Sequence, residues 1–162
     1  MSGVADMEDI NFREASLNDK FILLEFEQEV LQAERPYNSA IKSADAFYYD
    51  MDDLLTSKNT LLLVAETKER IIGSGYAQIR SSKQSLIHET HSYIGFMYVA
   101  PEYRGQGVNK RILERLVQWS TNQGISDFYL DVYSENQTAI RAYQKAGFVQ
   151  SMIEMKLNVS KS

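Results

Sequence analysis

The apolar positions of the chain fall into short runs with two different periods. Residues 9–15 alternate apolar and polar, the period of a half-buried strand. Ser16 or Asn18 can then cap a helix running to Ala33, with Phe21, Leu24, Val30 and Leu31 available for its buried side. Pro36 and Asn38 mark a loop. Ala44, Phe47, Tyr48, Met51 and Leu55 recur at helical spacing and predict a second helix over residues 43–55. Residues 60–66 and 71–80 read as two strands joined by the polar connection Thr67-Lys68-Glu69-Arg70.

After a loop at residues 81–85 comes a long strand whose almost unbroken apolar stretch, Tyr93 to Val99, is stopped at Pro101. A helix follows, with Val108, Ile112, Leu116 and Val117 on one face and Gly124 past its end near Asn122. Residues 127–133 alternate as a strand. Ser134 with Gln137 three residues on forms a capping-box pattern for a helix carrying Ala139, Ile140 and Tyr143, ended at Gly147. Residues 148–157 read as a last strand. The order β, α, α, β, β, β, α, β, α, β predicts a mixed α/β domain with helices on both faces of one sheet. No repeat, low-complexity tract or linker divides the 162 residues, so a single domain is expected over residues 1–162.

Composition narrows the function. The chain lacks cysteine, which excludes disulfides, thiolate nucleophiles and thiolate-bound zinc. No apolar run approaches a membrane span, and the first residues carry no basic region followed by an apolar stretch, so neither a membrane segment nor a secretory signal is expected and the cytoplasm is the compatible location. A net charge of −5 argues against general affinity for nucleic acid. The charge is uneven: residues 1–60 hold 13 Asp and Glu against 5 Lys and Arg, and the remainder 9 against 12. That division suits a cationic substrate meeting an anionic cofactor, and equally suits ordinary solvated acidic helices.

The chemistry concentrates at Tyr103-Arg104-Gly105-Gln106-Gly107-Val108-Asn109-Lys110. A buried strand, a glycine-bearing turn and a helix start make an anion site, because first-turn N–H groups have no internal partner and glycines admit close approach. Lys110 and Arg111 in the first turn oppose the helix dipole unless an anion is present. A nucleoside-triphosphate loop would need Ser or Thr after the lysine, and a dinucleotide fingerprint would need glycine at position 110, so both fit poorly.

Arg104-x-x-Gly107 after a buried strand, followed by Asn136-x-x-Ala139-x-x-x-Tyr143-x-x-x-Gly147-Phe148, resembles the GNAT (GCN5-related) N-acetyltransferase superfamily, most strongly over residues 94–148. The resemblance implies a mostly antiparallel central sheet and acetyl-CoA as acyl donor, with no metal. Its pyrophosphate would lie on Arg104, Gly105, Gln106, Gly107, Val108, Asn109 and Lys110. Its pantetheine arm would lie along the backbone of Met97, Tyr98 and Val99, with Asn136 and Ala139 near it. One position departs: Asn109 stands where the family has a second small residue. Tyr143 corresponds to the general acid for the leaving thiolate, although its spacing alone equally suits a core aromatic.

A general base is sought among Glu89, His91 and Tyr93, at the start of the central strand, with Glu27 and Glu29 as alternatives; Glu89 is favoured. His88-x-x-His91 offers too few ligands for a metal. The expected acceptor is a small-molecule or peptide amine, with the acidic first helices favouring a cationic one. Many members of the family pair as dimers, so a homodimer is implied, although no exposed stripe specifies an interface. The alternative is a non-catalytic CoA-binding module on the same fold.

Overall fold

The structure, a computed structural model, describes residues 9–160. The chain divides into two compact units, Met1–Asp131 and Val132–Ser162.

The first unit is built on a five-stranded sheet. Its elements in order are β1 (Asn11–Glu14), α1 (Lys20–Glu34), α2 (Met51–Thr56), β2 (Thr60–Glu66), β3 (Ile71–Ser81), β4 (Thr90–Val99), α3 (Val108–Asn122) and β5 (Phe128–Tyr129). The strands lie in the order β1-β2-β3-β4-β5. Every pairing is antiparallel except β4 with β5, which is parallel. This is the mixed sheet with helices on both faces that the element order predicts, and it is mostly antiparallel, as the resemblance implies.

Two glycines of β3 set how closely α3 approaches. A Cβ at Gly75 would lie 2.6 Å from Met97 Sδ and 2.8 Å from Ile112 Cγ2; one at Gly73 would lie 3.0 Å from the Tyr98 carbonyl oxygen and 3.2 Å from Ile112 Cδ1. On that face Val108, Ile112 and Leu116 are buried as their spacing predicts. On the opposite face the Phe26 ring of α1 packs on Tyr98 of β4, with centroids 4.4 Å apart. Burial of this apolar surface supplies the main favourable term for folding.

Several expectations need correction. The buried side of α1 is Leu23, Phe26, Glu27 and Leu31; Phe21 and Leu24 are exposed. The buried carboxylate of Glu27 breaks the apolar periodicity that would have revealed this face. The second helix spans only Met51–Thr56, not 43–55, and Asp50 caps it by accepting from Asp53 N at 3.1 Å. Residues upstream stay non-helical because α1 takes their backbone groups. Glu27 accepts from the N–H of Tyr48 and, at 2.8 Å, of Tyr49, while Gln28 donates to the Ala46 carbonyl at 3.0 Å. The strand over 127–133 contracts to Phe128–Tyr129, paired only with Ser92 and Tyr93. Just beyond, β4 carries a bulge that changes its course.

The second unit holds α4 (Gln137–Lys145). Its cap is Asn136, whose Oδ1 accepts from Ala139 N at 3.2 Å, rather than Ser134. Gly147 follows with φ of 107°, the left-handed stop expected there. The last strand is absent: residues 148–160 form no regular element, and Val149, Met152, Ile153, Met155, Leu157 and Val159 are exposed. Alternation alone does not make a strand, which needs a neighbour for its hydrogen bonds. Among the described residues no helix is long and apolar enough to cross a membrane.

Candidate active site

The glycine turn forms between a short 3₁₀ turn at Pro101–Tyr103 and α3. Gly105 and Gly107 both adopt left-handed conformations, with φ of 76° and 85°. A Cβ built on either meets nothing within 4 Å. The glycines are therefore required by backbone conformation, and they leave open space in front of the α3 N-terminus. Gly107 is the helix N-cap and offers no side-chain acceptor, so the first N–H groups of α3 keep their capacity to bind an anion.

Arg104 anchors the turn to β4: its Nε donates to the Val99 carbonyl at 2.8 Å. Gln106 Oε1 is buried and, among the described residues, accepts no hydrogen bond. Lys110 is exposed, and Asn109 is half-buried in the first helical turn. Arg111 turns aside and lies 4.7 Å over the Phe12 ring, beside Arg115 at 4.6 Å. The open space beside the glycines at the start of α3 fits an anionic ligand such as a pyrophosphate, which would be met by main-chain N–H groups and not by the Gln106 oxygen.

The second feature is the bulge in β4. Register with β3 shifts between Ser74 and Tyr76, and Phe96 has φ of 54°, rare for a residue with a side chain. Ser74 Oγ donates to the Phe96 carbonyl at 3.0 Å and pins the distortion. Past the bulge, among the described residues, β5 no longer pairs with β4, so the backbone edge at Met97, Tyr98 and Val99 has no strand beside it. Tyr98 and Val99 are buried there, Tyr98 against Phe26, while Met97 is half-buried with its Sδ close to Gly75.

An aromatic wall stands on the α1 side of the bulge. Tyr49 lies 4.8 Å from Phe96 and 5.9 Å from Tyr76, and Tyr76 lies 6.3 Å from Tyr93, all between ring centroids. Burial pushes the hydroxyls of Tyr49, Tyr76 and Tyr93 up, so all stay protonated at neutral pH. Tyr93 Oη donates to Asp131 Oδ2 at 2.9 Å, which raises Tyr93 further. Glu27, 1% exposed, positions the Tyr49 backbone from below.

Of the proposed bases, Glu89 is exposed in the turn before β4, where its carbonyl accepts from Ser82 N at 2.8 Å. His91 is half-buried. Ser82 Oγ lies 2.8 Å from its Nδ1 and 2.7 Å from His88 Nδ1, and His88 Nε2 lies 2.9 Å from Tyr129 Oη. A serine hydroxyl has one proton, so at least one of the two Nδ1 atoms must donate to it. Burial, then His88 and Arg80, lower the His91 pKa. Among the described residues no group of three or more acidic or histidine side chains could hold a metal. Tyr143, Asn136 and Ala139 lie in the second unit, on or next to α4. There the half-buried Tyr143 ring meets Phe148 edge-on, with centroids 5.8 Å apart.

Sequence reasoning pointed to the glycine turn and the helix start that the structure forms, and missed the wall. Tyr49, Tyr76, Phe96, Arg80 and Asp131 carry no local motif. The parity of residues 127–133 does put Asp131 on the face of Tyr129, which a register with β4 would have linked to Tyr93.

A sequence model of the acetyltransferase (GNAT) family matches residues 27–148. A thialysine N-epsilon-acetyltransferase of Mus musculus is 36% identical over 55 residues, which is 34% of this chain and 32% of that protein. N-acetyltransferase 8 of Homo sapiens is 28% identical over 109 residues, 61% of this chain and 44% of that protein. The matched regions thus span well under two thirds of these relatives. A crystal structure of a predicted acetyltransferase with acetyl-CoA from Clostridium acetobutylicum superposes with a TM-score of 0.72 at 21% identity, covering 93% of this chain and 96% of that one. A GCN5-related N-acetyltransferase from Ralstonia eutropha gives 0.70 at 16% identity, covering 94% and 99%. At these identities the superpositions show the shared fold.

Proposed function

The chain belongs to the acetyltransferase (GNAT) family, and from that premise we propose that it moves the acetyl group of acetyl-CoA to a primary amine by direct attack in a ternary complex. The observation that carries this reading is the cradle: two left-handed glycines facing open space at the start of α3, in the turn that directly follows the bulged strand β4. In this reading residues 104–110 bind the pyrophosphate through main-chain N–H groups. The backbone of Met97, Tyr98 and Val99 receives the pantetheine arm, and an N–H near Met97 polarises the thioester carbonyl as negative charge develops on its oxygen. Asn136 and Ala139 contact the same arm.

The amine nitrogen attacks the carbonyl carbon, the carbon–sulfur bond breaks, Tyr143 protonates the departing thiolate, and the surplus proton shed by the newly acylated nitrogen restores the Tyr143 hydroxyl. Glu89 takes the proton that the ammonium must lose before attack. No step calls for a metal. The acceptor is a small-molecule or peptide amine with cationic character, in keeping with the acidic N-terminal part of the chain. The names of the similar thialysine and aminoglycoside acetyltransferases, which specify amine nitrogens, support this class. The reading includes a cytoplasmic setting, taken from the sequence composition, and a homodimer, carried over from the family.

Calorimetric titration with acetyl-CoA, followed by thiol release over a panel of amines, tests the proposal. Selective acetyl-CoA binding and at least one good acceptor are expected. Binding without transfer to any amine would instead identify a non-catalytic CoA-binding module. Tyr143→Phe is expected to lower kcat by about a hundredfold or more, the usual contribution of a positioned acid, while leaving acetyl-CoA affinity near wild type. Wild-type turnover of that variant across pH would remove Tyr143 from the chemistry.

A further inference from the structure

Two opposite charges flank one aromatic platform beside the bulge. Tyr76 lies across Gly95 so closely that a Cβ there would sit 2.6 Å from its Cζ and Oη. Tyr93 neighbours Tyr76 on the same face, and the Asp131 carboxylate holds the Tyr93 hydroxyl. On the Tyr93 ring face, 4.1 Å from its centroid, lies Cζ of Arg80, whose Nε donates to Gln78 Oε1 at 2.8 Å. Arg80 and Asp131 both act on the Tyr76 hydroxyl, with opposite sign. Both are exposed, and among the described residues no ion pair joins them. Other titratable neighbours are His91, which pairs with Arg80 across the β3–β4 register, and Tyr49.

We propose that this platform recognises a zwitterionic acceptor, a small amino acid, with Asp131 receiving the ammonium end and Arg80 the carboxylate. The inference rests on the acetyl-transfer reading and narrows its substrate class. A pure polycation would meet the guanidinium already seated on the Tyr93 face, an unfavourable like-charge contact. A carboxylate instead meets a planar donor fork with N–H groups to spare. The half-buried Tyr93 ring, backed by the buried Tyr76, lies between the two charges and offers an apolar edge for the aliphatic part of such a molecule. The platform adjoins Gly95 and Phe96, so an amine held there is beside the backbone proposed to polarise the thioester.

The test compares amines that differ only by a carboxylate: glycine with methylamine, L-ornithine with putrescine, L-lysine with cadaverine, each at saturating acetyl-CoA. For the best pair, kcat/KM is expected to favour the amino acid by about tenfold or more, as for a charge-assisted bidentate contact. Arg80→Gln is expected to collapse that ratio toward one through KM. Asp131→Asn is expected to raise KM for both members of each pair. Acetyl-CoA titration of each variant checks that the cradle persists. Equal or better use of the decarboxylated amines, an undiminished ratio in Arg80→Gln, or no turnover of any amino acid, each with acetyl-CoA bound, overturns the zwitterion proposal alone. Failure of the unmodified protein to bind acetyl-CoA overturns the acetyl-transfer reading and this one with it.

Discussion

At the scale of single residues, charge is used where it is enclosed by donors. Arg13 shows this away from the site. Its guanidinium donates to both Asp19 oxygens, at 2.8 and 3.0 Å, and to both Glu66 oxygens, at 3.2 and 3.0 Å. These hydrogen bonds are the largest cause holding both carboxyls below the usual carboxylate range, against the opposing effect of burial. A carboxyl whose folded pKa is depressed stabilises the fold fully above its unfolded pKa, near pH 4, and loses that contribution as pH falls through the folded value. Asp19→Asn should therefore cost about 1–3 kcal/mol at neutral pH and flatten the acid side of the stability profile. Urea midpoints from pH 7 to pH 2 check this; parallel profiles for wild type and variant would show that Asp19 does not carry the acid sensitivity.

At the scale of elements, the loop between α1 and α2 is tied down from the helix side. Glu27 accepts from two consecutive backbone N–H groups, and Arg35 Nη1 donates to the Lys42 carbonyl at 2.7 Å. The same loop carries Tyr49 onto Phe96 and Tyr76. Glu27→Gln is expected to lower stability by about 1–3 kcal/mol and to raise the acceptor KM while leaving acetyl-CoA affinity near wild type. A fall in kcat alone, with the acceptor KM unchanged, would assign Glu27 the role of base instead. This loop also marks where the sequence stops being readable. Ala44, Phe47, Tyr48 and Met51 have helical spacing, but the groups that decide their conformation lie about twenty positions earlier, on another element. The turn at Gly105 and Gly107 was readable because its cause is local: two residues able to adopt positive φ, followed at once by an amphipathic helix. The bulge at Phe96 is the opposite case, since a non-glycine residue in that conformation is imposed by Ser74 and the β3 register. The Tyr93–Asp131 pair likewise depends on strand register and not on any motif.

At the scale of the whole molecule, α3 ties the core to the site. Its body lies on Gly73 and Gly75, while its first turn faces the cradle. The distance from helix to sheet therefore sets both core packing and the position of the N–H groups that we propose bind the pyrophosphate. Gly107→Val and Gly75→Val separate these roles. At Gly107 the added side chain enters open space but must hold φ of 85°, a local cost of about 1–2 kcal/mol. At Gly75 even the first added carbon overlaps Met97 Sδ and Ile112 Cγ2. Met97 can swing aside, whereas Ile112 can yield only if α3 moves. Overpacking of this kind costs about 1–3 kcal/mol or more, and here it must also shift the cradle. Both variants are expected to weaken acetyl-CoA binding in calorimetric titration. The decisive comparison is the ratio of lost affinity to lost stability: large for Gly107→Val, smaller for Gly75→Val, with thermal unfolding as the second measurement. If Gly75→Val is destabilised yet binds acetyl-CoA as tightly as wild type, the cradle is not positioned by the seat of α3 on the sheet, and the strand-to-helix turn alone defines it.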